Sequence, residues 1–257
     1  MCFDHDARPP IAPIVGAAVD GERIELASAD GTRFLAYAAA AASVFGAGML
    51  ILPDVRGLHR YYEDLALRFA EAGIDALALD YFGRSAPTDD RGPEFDFMPH
   101  VGQTRYPALV DDMAAAADEL RRRRPGLRAL FTVGFCYGGR LSFLAATRAE
   151  LGLAGVIGFY GVPVGAGRAE MPPPADVAGQ MRVPVLGLFG GEDAGIPAES
   201  VAAFQRALTG ASVEHELVTY PGAPHSFFDR KAEQFADASV DAWRRVKEFV
   251  GRLTPAA

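Results

Sequence analysis

A cysteine set between glycines at the end of an apolar run is the most chemically pointed feature of the chain. In Gly134-Phe135-Cys136-Tyr137-Gly138-Gly139 the cysteine follows the apolar segment Ala129 to Val133 and precedes a stretch of helical spacing. This is the pattern of a nucleophile elbow, where the central residue is strained at a strand tip and small neighbours let two backbones pass closely. Serine is the usual centre. Cysteine offers a thiolate, the stronger nucleophile once deprotonated, and the free N–H groups opening the next helix favour that charge. Read alone, Cys136 would be a small buried hydrophobe on a glycine-rich turn; its place in the elbow favours catalysis.

Such a nucleophile needs a base and a group that orients the base. Asp193 lies in Gly190-Gly191-Glu192-Asp193 after the apolar run Val183 to Phe189, and His225 lies in Pro224-His225-Ser226 shortly after Tyr220. The chain order is nucleophile, acid, histidine, as in an α/β-hydrolase. His225 would accept the thiol proton, while Asp193 would hold the imidazole tautomer and stabilise its charged form. Either residue alone reads as a turn residue, and Glu192 is a rival to Asp193, though the position after the double glycine and one more residue is the better match.

The surrounding pattern can position these groups. Glu22 to Ala27 and Arg33 to Ala38 flank Asp30-Gly31, which predicts an opening antiparallel hairpin. Strand-like runs then alternate with helical spacing: strand Met49 to Leu52, helix Tyr62 to Ala72, strand Ile74 to Leu79, helix Pro107 to Arg123, strand Ala129 to Phe135 and helix Gly139 to Arg148. Strands Gly155 to Tyr160 and Val183 to Phe189, helix Pro197 to Leu208, strand Val213 to Tyr220 and a last helix to Leu253 complete the series. Alternation of this kind predicts an α/β chain with a mostly parallel sheet of about eight strands flanked by helices. Residues 1–257 read as a single domain, with residues 1–20 extended or poorly ordered. The connections Tyr81 to Tyr106 and Gly161 to Arg182 are long and follow strands, so they leave the carboxyl edge of the sheet, where open α/β folds bind ligands.

Composition narrows the function classes. Across 257 residues, 50% hydrophobic and 23% charged, the net charge is -8, which argues against a nucleic-acid partner because phosphate binding needs clustered cations. The basic run Arg121 to Arg124 reads as a solvated helix end. Two cysteines, Cys2 and Cys136, give no disulfide framework and no Cys-x-x-Cys redox pair, and the histidines show no metal-ligand spacing. Gly165-Ala166-Gly167 lacks the strand-to-helix setting of a phosphate loop. No cofactor and no metal are expected. The start carries Asp4, Asp6 and prolines where a signal peptide needs a basic and then an apolar run, so the expected location is cytoplasmic. Phe34 to Pro53 is uncharged and long enough to span a bilayer, but it is Ala-rich and broken by Gly46 and Gly48, and it reads as two buried strands rather than a membrane contact.

These residues resemble the dienelactone hydrolases (carboxymethylenebutenolidases), cysteine-dependent α/β-hydrolases that open a lactone ring. The resemblance spans most of the chain and is carried by Gly-Phe-Cys-Tyr-Gly-Gly at 134–139, Gly-Phe-Tyr-Gly at 158–161, Gly-Gly-Glu-Asp at 190–193 and Pro-His-Ser-Phe at 224–227. It implies an α/β-hydrolase fold, a Cys136, Asp193 and His225 triad, and an oxyanion hole of the Val55 and Tyr137 amides. It also implies that Asp54, one methylene shorter than the family glutamate, holds the resting thiol. Asp80 matches a strand-end aspartate and reads as structural, bonding loop backbone. Family members grip a substrate carboxylate with two arginines. Here Asp229 stands where one would fall, with Arg230 next, and Arg84, Arg91 and Arg105 compete for the other. Phe82, Tyr160 and Phe228 are candidates to wall the substrate, together with Phe95, Phe97 and Met98. The implied partner is a small ester or lactone, and the chain would act as a monomer or homodimer. The alternatives are a cysteine-dependent esterase or thioesterase on another small substrate, and a noncatalytic ligand-binding protein on the same fold.

Overall fold

The computed structural model describes residues 4–14, 17, 19–42, 45–86, 91–229 and 233–256. Its frame is an eight-stranded sheet in the order β1-β2-β4-β3-β5-β6-β7-β8. The hairpin of β1 (Val19–Ala27) and β2 (Arg33–Ala41) turns through Gly31 at φ 82°, and β2 continues antiparallel onto β4 (Asp75–Leu79). All later neighbours are parallel: β3 (Ala47–Leu52), β5 (Ala129–Phe135), β6 (Gly155–Phe159), β7 (Val185–Gly190) and β8 (His215–Tyr220). Every residue of β3 to β7 is buried, as unbroken apolar strands covered on both faces require.

The helices are α1 (Arg60–Glu71), α2 (Phe97–Val101), α3 (Tyr106–Arg123), α4 (Tyr137–Ala145), α5 (Ala198–Gly210) and α6 (Ala236–Leu253). α1 meets α6 through Phe69 and Trp243, with ring centroids 4.8 Å apart, and α4 meets α5 through Phe143 and Phe204 at 5.0 Å. The expected α/β-hydrolase architecture is the observed one.

Differences from the expected elements are local. The hairpin strands extend further, to Val19 and Ala41, because β1 stays paired to β2 along its whole length. Helix α4 starts at Tyr137 and ends at Ala145, earlier at both ends than the spacing indicates, since it begins immediately after the elbow cysteine. The Tyr81 to Tyr106 connection contains α2, a helix of 5 residues that is too short to leave a periodic signal. Phe34 to Pro53 is β2 and β3, and among the described residues no helix is long and apolar enough to cross a membrane.

Strand order sets the place where a ligand can bind. From β3 the chain first steps to β4 on one side and then returns to β5 on the other, so the direction of winding reverses between β3 and β5. At such a switch point the loops leaving the two strands diverge and open a crevice at their carboxyl ends. The loop at 53–59 leaves β3 there, and Cys136 follows β5.

Candidate active site

Cys136 lies between β5 and α4 with φ 55° and ψ -109°, a conformation that side-chain-bearing residues rarely adopt. Its N–H donates to Phe159 O at 3.0 Å and its carbonyl accepts from Arg140 N at 3.1 Å, so β6 and the first turn of α4 hold the strained residue from both sides. The flanking glycines are required by contact. A Cβ on Gly134 would sit 1.9 Å from Gly138 O, and one on Gly138 would sit 2.1 Å from Leu52 O. Cys136 is half-buried and occupies the N-cap position of α4 without a side-chain capping bond, at the helix end whose unpaired amides favour a negative charge.

The structure brings Cys136, His225 and Asp193 together from three strand ends. Asp193 is buried; its Oδ1 accepts Gly195 N at 2.9 Å and its Oδ2 accepts His225 Nδ1 at 2.6 Å. The rival Glu192 is exposed. With Nδ1 given to the carboxylate, the imidazole also hydrogen-bonds the Cys136 side chain. Burial alone would pull the His225 pKa down, but the bonds to Asp193 and to Cys136 outweigh it and push the pKa up to about 9. Tyr160, at φ 39°, packs its ring 4.8 Å from the imidazole at a tilt of 53°. Two further bonds tie the acid loop to the histidine loop: Gly191 N donates to Tyr220 O at 2.8 Å and Glu192 N to Ala223 O at 2.9 Å.

The N–H groups of Val55 and Tyr137 donate to no acceptor among the described residues, which leaves both available to an oxyanion. Asp54 is placed differently from the expectation that it holds the thiol. Its Oδ1 accepts Arg56 N at 2.9 Å and Arg56 Nε at 3.3 Å, its Oδ2 accepts Arg56 Nη2 at 3.0 Å, and no hydrogen bond of Asp54 reaches Cys136. Burial would raise this carboxyl, yet His59, 3.8 Å from Oδ2, and the Arg56 guanidinium hold it well below the usual carboxylate range. The shorter side chain therefore closes onto its own loop and stiffens the segment that carries Val55.

The substrate-binding candidates fare unevenly. Arg84 is drawn away by a bidentate pair with Asp112 at 2.7 and 3.0 Å and by Asp30 at 3.1 Å. Arg91 is buried against Asp80 at 2.7 Å, and the same aspartate accepts Leu58 N and Phe82 N at 2.9 Å, which makes this cluster loop architecture. Arg105 is exposed, with Nη1 on Thr104 O at 2.9 Å. Arg230 and Cys2 lie outside the described residues. Phe82, Tyr160 and Phe228 are each at most 1% exposed, so they form core rather than a wall that a substrate touches. Sequence periodicity cannot separate those roles for an aromatic residue at a strand end.

One cation was not singled out from sequence. Arg168 stands exposed in the connection after β6, and among the described residues it is the arginine whose side chain makes neither a hydrogen bond nor an ion pair. Buried Arg140 of α4 secures that connection by donating to Val162 O, Gly165 O and Met171 O at 3.3, 2.8 and 3.0 Å. Burial pushes the Tyr137 phenol up to about 12, against the hydrogen bond with Thr104 and the charge of Arg168. The available signal was position, because this is the second long loop at the carboxyl edge.

Among the described residues no group of three or more His, Cys, Asp and Glu side chains is placed to hold a metal ion. A thiol hydrogen-bonded to an imidazole that is itself bonded to a carboxylate, beside two free amides, is equipped for acyl transfer through sulfur.

The family model described as "Dienelactone hydrolase family" matches residues 34–254. A candidate carboxymethylenebutenolidase of Salmonella typhimurium is 31% identical over 204 residues, covering 78% of this chain and 75% of that protein. The crystal structure of a candidate dienelactone hydrolase from Klebsiella pneumoniae superposes with TM-score 0.79 at 27% identity, covering 91% of this chain and 98% of that one. A dienelactone hydrolase-like promiscuous phosphotriesterase from metagenomic libraries, 22% identical with TM-score 0.72 and covering 93% of this chain and 100% of its own, shares the fold.

Proposed function

The chain belongs to the dienelactone hydrolase family, a family of hydrolases, and from that premise we propose that it cleaves a lactone or an activated carboxylic ester through an acyl-cysteine intermediate. The observation that carries this reading is the imidazole of His225, bonded to Asp193 through one ring nitrogen and to the Cys136 side chain on its other side.

In the first half-reaction the Cys136 thiolate attacks the carbonyl carbon and the oxyanion takes hydrogen bonds from the Val55 and Tyr137 amides. As the intermediate collapses, the C–O bond breaks and His225 gives its proton to the leaving oxygen; in a lactone that oxygen stays on the same molecule. The thioester formed carries no charge and accepts no comparable bond from the imidazole. One of the two contacts that raise the His225 pKa is thereby lost, so the ring, left neutral when it gave up its proton, stays neutral and is free to take a proton from water. That water attacks the thioester, the C–S bond breaks, and the thiolate returns. Arg168, exposed in the connection after β6, is the candidate to receive an anionic substituent of the substrate.

The test is hydrolysis of a dienelactone, followed by its ultraviolet loss, beside a 4-nitrophenyl ester, for wild type and Cys136→Ala. Turnover of either substrate that disappears in the variant supports the reading. Full activity in Cys136→Ala, or silence of the wild type on both and on a wider ester panel, rejects it.

A further inference from the structure

Two adjacent tyrosines on α1 touch all three loops that build the site. Tyr61 and Tyr62 are 1% and 0% exposed, and their rings meet edge to face at 5.1 Å. The Tyr61 hydroxyl donates to Phe228 O at 2.5 Å, three residues beyond His225. The Tyr62 hydroxyl accepts Asp54 N at 2.9 Å, one residue before the Val55 amide. Both rings also face Phe135, the residue before Cys136, at 6.4 and 5.6 Å. Among the described residues, a further buried side-chain tie of the histidine loop comes from Ser239 of α6, whose hydroxyl donates to Phe227 O at 3.1 Å.

We propose that Tyr61 and Tyr62 are positioning residues that hold the histidine loop, the oxyanion loop and the nucleophile elbow in mutual register. A rigid aromatic body bonded to two loops and packed on the third leaves none of them free to shift alone. Neither hydroxyl need approach substrate. A displacement of about 1 Å at a reacting group costs about a hundredfold in rate, so two buried hydroxyls remote from the chemistry can govern turnover. The proposal rests on the hydrolase reading above and adds to it the parts that fix its geometry.

The test uses full-length Tyr61→Phe and Tyr62→Phe, which keep the rings and remove only the hydroxyls. On a 4-nitrophenyl ester each variant is expected to lose about tenfold or more in kcat with KM changed less than about threefold. Tyr61→Phe is expected also to move the alkaline limb of the rate profile to lower pH, because a loosened histidine loop weakens the bonds of His225 to Asp193 and Cys136. Tyr62→Phe is expected to leave that limb in place, because its bond is to the oxyanion loop. If Tyr61→Phe does not fold, Ser239→Ala removes the neighbouring tie and must give the same shift. Variants that only unfold at lower temperature, with wild-type kcat and limbs, overturn the proposal. If the wild type turns over no ester, the hydrolase reading fails, and the pH dependence of Cys136 alkylation by iodoacetamide decides the inference. A profile unchanged in Tyr61→Phe, or a thiol that does not react, then overturns it.

Discussion

Replacing Asp193 with asparagine separates the electrostatic part of the site from its shape. The rise of the His225 pKa from an ordinary 6.5 to about 9 corresponds to about 3 kcal/mol in favour of the imidazolium. This is what remains after burial has worked against the charge. The hydrogen bond to Asp193 is the strongest of the contacts that raise the pKa, followed by the hydrogen bond to Cys136. Asp193→Asn should then lower the His225 pKa by more than about one pH unit, bringing the alkaline limb of kcat/KM from about 9 to below 8. Because an amide at that position no longer selects the Nδ1–H tautomer, kcat should fall by about a hundredfold or more at every pH. The assay is initial-rate hydrolysis of an activated ester from pH 5 to 10, with pH-dependent alkylation of Cys136 as a second readout. A group whose pKa is raised on folding stabilises the native state fully below its unfolded value of 6.5 and loses that contribution as pH rises through about 9. The stability gap between wild type and Asp193→Asn should accordingly be widest in acid and shrink toward pH 9. An alkaline limb that stays near 9, or moves upward, would refute the assignment of Asp193 as the orienting acid.

Other perturbations follow from the same geometry. Gly138→Ala puts a methyl 2.1 Å from Leu52 O and 2.3 Å from Pro53 O, so α4 must move off β3; urea unfolding should show a loss of about 3 kcal/mol or more, accompanied by lost turnover. Arg91→Met leaves Asp80 charged and fully buried, and the broken pair should cost about 3–5 kcal/mol by thermal or denaturant unfolding. Arg168→Gln should reduce kcat/KM for a carboxylate-bearing ester relative to a neutral one of equal length by about tenfold, with Arg168→Lys recovering part of it. Arg84→Gln, which breaks contacts to Asp112 and Asp30, should leave that ratio unchanged, and an equal effect of both substitutions would remove Arg168 from the site.

The parts of this arrangement that were legible in the sequence are those whose signal is local. The elbow announces itself because Gly134, Gly138 and Gly139 must lack side chains, each being pressed against backbone atoms. Asp193 and His225 stand just beyond apolar runs, and such runs become parallel strands whose tips share one edge. Long-range pairing is where that legibility ends. Arg84 looks free in its loop until folding brings Asp112 and Asp30 to it from 28 and 54 positions away. Asp54 turns to Arg56 because the missing methylene favours a local ring of hydrogen bonds. Phe82 and Phe228 sit in loops that leave the carboxyl edge, yet both point into the core. Tyr61 looks like an ordinary buried helix residue, and its role depends on a carbonyl 167 positions away.

In the proposed reaction, turnover passes through an acyl group on Cys136. Rapid acid quench of the enzyme during turnover of a 4-nitrophenyl ester, followed by intact-protein and peptide mass spectrometry, tests it directly. A mass increase equal to the acyl group is expected, confined to the peptide containing Cys136 and accumulating when deacylation is slowed by His225→Ala. Turnover with no covalent species, or with the acyl group on another residue, would contradict it.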